Sequence, residues 1–283
     1  MERDVNQEIS PINSEYRRVA LVTGGASGIG AAIAKRLSDD YQHVIIVDQN
    51  AEAAASTAQT LGERHGSYSL DITSESGVCD MVAALETQYG PIDVLVNNAG
   101  NPEQSLPTLE QSVDAFDRIL SVHLRGTFLM SREVGRVMIG RGSGSIVNIS
   151  SIAGHGGHPG RNGYGAAKAG ISAMTSAMAC EWARSGVRVN AVAPGYVLTA
   201  LVGEMIEKGS LNLTEIVART PLGRVAQGSE IAEAVAFLAS AKASFITGTT
   251  LAVDGGWLAL GAPVISLTKA PGSLAKGPSE VIS

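Results

Sequence analysis

Seven short apolar runs recur along the chain with helical patterns between them. They are RVALVTG (18–24), HVIIVDQ (43–49), GSYSLDI (66–72), IDVLVNN (92–98), GSIVNIS (144–150), VRVNAVAP (187–194) and TTLAVDG (249–255). Their Val, Ile and Leu content predicts strands buried on both faces, and hence a parallel sheet covered by helices. Between them, Ile29, Ile33 and Leu37 recur every four residues, and Ile231, Val235 and Leu238 follow at four and three, so each set marks one helical face. The alternation predicts a single doubly wound α/β domain whose seven-stranded parallel sheet is flanked by helices through right-handed crossovers.

Composition excludes several classes of function. With 283 residues, 45% of them apolar, the chain can bury a substantial core. Its 21 basic and 27 acidic residues give a net charge of −6, and the cations are scattered singly, so no nucleic-acid partner is expected. The N-terminus is polar and no uncharged run reaches the roughly 18 residues of a spanning helix, so no signal peptide or membrane anchor is expected. Cys79 and Cys180 stand alone in helical segments, which points to a reducing compartment and to the cytoplasm. No His or Cys cluster has metal-ligand spacing, and no metal is expected. The reading divides the chain into a polar extension (1–14), a catalytic domain (15–257) with a helical lid at about 200–220, and a C-terminal extension (258–283).

The first strand leads directly into TGGASGIG, Thr23 to Gly30. Gly24, Gly28 and Gly30 permit a tight turn and close approach of a pyrophosphate, and Ser27 and Ile29 open the following helix. Alone this is also a common strand-to-helix turn; its context makes it a Rossmann-type dinucleotide site. Asp48 ends the second strand, where an acid accepts hydrogen bonds from the adenosine ribose. A 2′-phosphate beside it meets repulsion of up to about 4 kcal/mol at about 4 Å. No Lys or Arg lies in GGASGI or VDQNAE to offset this, so NAD is expected over NADP. Asp71 and Ile72 close the third run, and Asn98, Ala99 and Gly100 close the fourth, all at the carboxyl end of the sheet.

Tyr164 and Lys168 are i and i+4 on one helix face, and Ser151 ends the preceding strand. Taken singly these are a packing tyrosine, a solvated lysine and a cap. Together with TGGASGIG, Asp48, Asp71, NNAG (97–100), PGYVLT (194–199) and ITGTTLAVDGG (246–256), they resemble the short-chain dehydrogenase/reductase family over about residues 15–257. The resemblance implies an oxidoreductase moving hydride between a secondary alcohol and nicotinamide. Tyr164 is then the acid/base, and Lys168 lowers its pKa and binds the nicotinamide ribose. Ser151 donates to the substrate oxygen, while Pro194, Gly195, Val197 and Thr199 flank the nicotinamide.

The family pattern is broken at His123, in SVHLRGTF, where members carry an asparagine that holds a relay water to the lysine. A neutral histidine has a donor and an acceptor and either preserves that relay or blocks the water. The substrate wall is expected from Ser151, His155, His158 and Tyr196, with Gly154, Arg161, Asn101, Glu103 and the lid as further candidates. The substrate classes expected are polyols, sugars, cyclic alcohols and hydroxy acids. The resemblance also implies a homo-oligomer, a tetramer or dimer, built through helices 109–136 and 162–185 and the last strand. Two other readings remain open: a 3-oxoacyl thioester reductase using NADPH, and a non-catalytic NAD-sensing binding protein.

Overall fold

The computed structural model describes residues 18–103, 105–209 and 211–261. The expected extension at 1–14 and all of the C-terminal extension after residue 261 lie outside the described residues. In chain order the elements begin with β1 (Val19–Thr23), α1 (Gly28–Leu37), β2 (His43–Asp48), α2 (Ala51–Leu61), β3 (Gly66–Ser69), α3 (Glu75–Tyr89) and β4 (Ile92–Asn97). They continue with α4 (Val113–Leu120), α5 (Thr127–Arg141), β5 (Gly144–Ile149), α6 (Asn162–Trp182), β6 (Val187–Pro194) and β7 (Val197–Leu198). The series closes with α7 (Ala200–Glu207), α8 (Leu213–Arg219), β8 (Ala226–Gln227), α9 (Gly228–Ala239) and β9 (Thr250–Val253). Seven strands form one sheet in the order β3-β2-β1-β4-β5-β6-β9, and every pair in it is parallel.

Successive residues of each inner strand serve opposite faces. Ala20 and Val22 pack with Ile33 and Leu37 of α1 and with Ile231, Val235 and Leu238 of α9. Val19 and Leu21 pack with Met81 and Leu85 of α3 and with Met130, Val134 and Met138 of α5. Each such fully buried side chain contributes about 1.5–3 kcal/mol. The expectation of burial on both faces fails at the rims, where β3 and β9 have intermediate or exposed residues throughout. Each is an edge strand, paired on one side only among the described residues.

Two element bounds also depart from expectation. The third strand stops at Ser69, because Asp71 Oδ1 accepts from the Thr73 N–H and hydroxyl, at 2.9 and 2.8 Å, and pulls the chain into a turn. The helix expected at 109–136 begins only at Val113, where Ser112 caps it. It then passes through a π-type segment at Ser121–Gly126 and continues to Arg141. The irregular segment holds His123, and π-bulges of this kind concentrate at functional sites. The segment expected to act as a lid folds as the two helices α7 and α8. Among the described residues no helix is long and apolar enough to cross a membrane.

Candidate active site

Strand order reverses between β1 and β4, which opens a crevice at their carboxyl ends. Thr23 and Asn98 fasten its two sides together. Thr23 Oγ1 accepts from the Asn98 and Ala99 N–H groups at 3.0 and 3.1 Å, and Asn98 Nδ2 donates to the Thr23 and Gly24 carbonyls at 3.1 and 2.9 Å. Gly24, at φ +61°, leaves no room for a Cβ against Ala99, and a Cβ on Gly30 would collide with the Gly24 carbonyl. Gly28, at φ +55°, is exposed beside Thr199. Ser27 stands at the N-cap of α1 without a side-chain cap bond, and the first turn has no acidic residue. The N-terminal N–H groups are thereby left for an anion.

A groove of about 360 Å³ continues from this turn past Asp48, Asp71, Ile72, Ala99 and Gly100. Asp48 is held by backbone donors, Oδ2 from Ala26 at 3.3 Å and Oδ1 from Asn50 at 3.1 Å. The uncapped helix, the glycine cradle and the acid at the end of β2 fit a nicotinamide dinucleotide. Arg118, on the last turn of α4, also lines the groove. Sequence reasoning missed it, since nothing in its helical pattern marks which way it faces.

A second cavity, of about 280 Å³, is walled by Ser151, His158, Tyr164 and Tyr196, by Ile29, Pro194, Gly195, Val197 and Thr199, and by Val202, Met205 and Leu211 from the lid. Thr199 additionally caps α7, accepting from the Val202 N–H at 3.3 Å. Ser151 reaches the tyrosine because the turn Ile152–Gly154 lies hard against α6. A Cβ on Gly154 would stand 2.7 Å from the Lys168 carbonyl carbon, so Gly154 acts as a close-packing residue of that turn. Lys168 is buried, 4% exposed, with Nζ donating to the Ile149 carbonyl at 2.7 Å and lying 5.5 Å from the Tyr164 ring centre. Ser151 and Tyr164 therefore share one wall, and Lys168 is buried next to the tyrosine ring.

The electrostatics bring in a further cation. Burial pushes the Tyr164 phenol up, opposed by a hydrogen bond with Ser151 and by the charge of Arg161, while Glu103 adds to the rise. Arg161, whose guanidinium lies 4.4 Å from the ring centre, is thus a cation favouring the phenolate that the expected roles did not include. Lys168 is itself pushed down to about 7, chiefly by burial and then by Arg161. A lysine that is largely desolvated is a weak source of positive charge at neutral pH.

His123 is 4% exposed and meets Tyr164 edge-on, with ring centres 5.3 Å apart. Its Nε2 lies 3.0 Å from the Asn101 carbonyl and 3.2 Å from the Asn101 N–H, while its buried Nδ1 has no partner. Burial, then the Lys168 charge, takes its pKa down to about 3, so the ring is neutral. The ring occupies the space above Gly100, where any Cβ would strike it. His123 is thus bonded to the backbone after β4 and packed on the tyrosine, with no hydrogen bond to Lys168.

His155 is exposed and stands outside the cavity wall, whereas His158 is on it, with Nδ1 bonded to the Gly156 carbonyl at 3.1 Å. The 3₁₀ turn after Ser151 ends at His155 and points the chain away from the cavity, which alternation in the loop could not foretell. Glu103 has an unanticipated task. Its carboxylate accepts from the Gly163 N–H at 3.0 Å and from the Tyr164 N–H at 3.2 Å, so it caps α6 from a distant loop where the N-cap residue Arg161 makes no side-chain bond.

The family model described as Enoyl-(Acyl carrier protein) reductase matches residues 24–258. An uncharacterized short-chain type dehydrogenase/reductase of Sinorhizobium fredii is 42% identical over 246 residues, 87% of this chain and 44% of that protein. The chain belongs to the short-chain dehydrogenases/reductases. This short-chain dehydrogenase/reductase is also 43% identical over 245 residues to the cis-4-hydroxycyclohexanecarboxylate dehydrogenase of Sinomonas cyclohexanicum, covering 86% of this chain and 97% of that one. Among solved structures it is similar to a variant of the actinorhodin polyketide ketoreductase with NADPH, at a TM-score of 0.80 and 37% identity, covering 85% of this chain and 97% of that one. It is therefore an oxidoreductase of the family that binds a nicotinamide cofactor, NAD or NADPH.

Proposed function

We propose that the protein oxidises a secondary alcohol with NAD, Tyr164 serving as base. The observation that carries this is Ser151 and Tyr164 together on one wall of a largely apolar cavity beside the dinucleotide crevice, with Lys168 buried next to the tyrosine ring. When bound, nicotinamide supplies the hydride acceptor. The substrate hydroxyl lies between Ser151 and Tyr164; the Tyr164 phenolate removes its proton, and the Ser151 hydroxyl donates to the oxygen as a carbonyl forms. Arg161 offsets part of the burial cost that holds the phenol proton on. Candidate substrates are polyols, sugars, cyclic alcohols and hydroxy acids, and the hydroxycyclohexanecarboxylate dehydrogenase among the relatives favours the last two. A screen of these four classes for NADH release tests the proposal. Turnover of none, despite tight NAD binding, would favour a non-catalytic NAD-sensing role.

The competing reading, a 3-oxoacyl thioester reductase using NADPH, has related proteins in its favour and the lid charges against it. An acidic carrier needs free cations at the entrance, yet Lys208 pairs with Glu204 at 3.2 Å and Arg219 donates to the Trp257 and Leu260 carbonyls at 3.0 and 3.1 Å. NAD preference rests on Asp48. Fluorescence titration should show tighter binding of NAD than NADP, and Asp48→Ala should narrow the difference; equal affinities in the parent protein would defeat the electrostatic argument.

A further inference from the structure

Arg161 is the odd member of the substrate cavity. Its side chain is about one-third exposed, its Nε is buried with no hydrogen-bond partner, and its guanidinium lies across the Tyr164 ring on the cavity wall. Among the described residues the nearest anion is Glu103, and that ion pair is long, 3.9 Å from Nε to Oε2. Both Glu103 oxygens already accept from the N–H groups that open α6, so this carboxylate is fixed on the helix and the Arg161 Nε is left without a partner. A buried guanidinium N–H left unmet is costly unless a ligand completes it, and the exposed remainder of the fork is open to the same ligand.

We propose that Arg161 is a carboxylate anchor and that the substrate of this cavity is a hydroxy acid, bound with its carboxylate on Arg161 and its carbinol at Tyr164 and Ser151. The assignment deepens the alcohol dehydrogenase reading and rests on it for the carbinol end. The planar fork of arginine pairs with a carboxylate through two parallel bonds, which fixes orientation as well as affinity. The remaining wall suits an apolar body between the two polar ends, since Ile152, Tyr196, Val202, Met205 and Leu211 line it. A hydroxyl of a neutral polyol or sugar can accept one bond from the guanidinium but brings neither the opposing charge nor the parallel pair of acceptors.

Arg161 also helps to hold Tyr164 and Lys168 below the values that burial alone would give. An anion placed on it cancels that field, so bound hydroxy acid raises the phenol and requires higher pH for oxidation than a neutral alcohol does. The pH profile of kcat for an acid and for its methyl ester, taken on one enzyme, reports the bound complex and reads this out separately from affinity.

Two measurements test the anchor. Hexanoate and hexanamide, which carry no oxidisable alcohol, are titrated calorimetrically into protein saturated with NADH. Hexanoate should bind at least about tenfold more tightly. Arg161→Gln should bring the two affinities within about twofold, and Arg161→Lys should keep part of the difference, as a point charge without the fork. In parallel, hydroxy acids with two to five carbons between carbinol and carboxylate are compared with their methyl esters for NADH release. Equal binding of hexanoate and hexanamide, or a preference that survives Arg161→Gln, overturns the anchor. Absence of turnover for every acid and ester with the binding preference intact overturns the dehydrogenase reading and leaves the anchor standing. Turnover of neutral alcohols with equal binding of the two probes does the reverse.

Discussion

Tyr164 tests the chemistry at the scale of one atom. Tyr164→Phe retains the ring on which His123 and Arg161 pack and removes only the transferable proton. NAD affinity should stay within about twofold while turnover falls by at least the roughly 10²-fold typical of losing an acid/base group; steady-state kinetics on any substrate found by the screen checks this, and unchanged turnover would refute the assigned base. Lys168 makes a pH prediction. Its ammonium titrates near 7 in the folded protein against an ordinary 10.5, so between these values the unfolded chain holds a proton that the folded protein has lost. Stability therefore rises with pH across that window, and the full cost is present below it. Relative to the parent protein, Lys168→Met should gain more melting temperature at pH 7 than at pH 10, as thermal unfolding at both values would show. An equal change at the two pH values would mean that the lysine keeps its ordinary pKa. His123 acts in the same direction over a lower range, from about 3 to its ordinary 6.5, so the native protein loses this contribution as acid is added below 6.5.

At the scale of elements, a buried polar chain ties the central strands to α5 and α6. Asn97 Nδ2 donates to Ser131 Oγ and Asn148 Oδ1 at 2.9 and 2.8 Å, and Asn148 Nδ2 donates to Thr175 Oγ1 at 2.9 Å. Asn148→Ala strands Asn97 and Thr175 partners in a dry core. It should cost about 1–3 kcal/mol for each donor or acceptor left unmet, read as a lower midpoint in urea unfolding with unchanged slope. The strands, their order of appearance and the helical faces at Ile33, Leu37, Ile231 and Val235 were legible because apolar period is a local signal. Thr23, Asp48, Ser151, Tyr164 and Lys168 were legible because chain spacing alone puts them at the carboxyl ends of strands or on one helix face. The Asn97–Asn148–Thr175 chain and the Glu103 cap join residues 27 to 61 positions apart, and no local pattern reports such pairings. Arg161 is close to Tyr164 in the chain, but it reaches the ring from the N-cap position, outside the helix, where spacing gives no direction. The exposure of His155 was hidden for a related reason, since a 3₁₀ turn decides it and histidine spacing does not.

At the scale of the molecule, two apolar surfaces bear on assembly among the described residues. A shallow hollow beside α4, α5 and α6 is lined by Leu120, Leu124, Phe128, Ala173, Met174 and Ala177, with Asp117 and Arg125 at its margin. The second includes the free edge of the sheet, where Leu251 of β9 is exposed, and Phe245, between α9 and β9, stands fully in solvent. Two distinct self-complementary faces generate a tetramer through two-fold axes, and one alone generates a dimer. We propose a homo-oligomer on this basis. Sedimentation at micromolar concentration should give a multiple of the 29.1 kDa chain, and a monomer alone would contradict it. Phe128→Asp with Met174→Asp should open the first face, and Phe245→Asp with Leu251→Lys the second. The two faces differ in what lies behind them. After β9 the chain reaches Trp257, which packs on Tyr196 of the substrate wall with ring centres 5.1 Å apart and lies under the Arg219 guanidinium at 4.7 Å. The sheet edge is thus joined to α8 of the lid through one aromatic ring, and freeing that edge loosens the support of the substrate cavity. The Phe245→Asp, Leu251→Lys protein should therefore show a KM for substrate raised severalfold with NAD affinity little changed. Phe128→Asp with Met174→Asp should change oligomer mass without that split. An equal rise in KM from both pairs would mean that the lid gains nothing from the edge in particular.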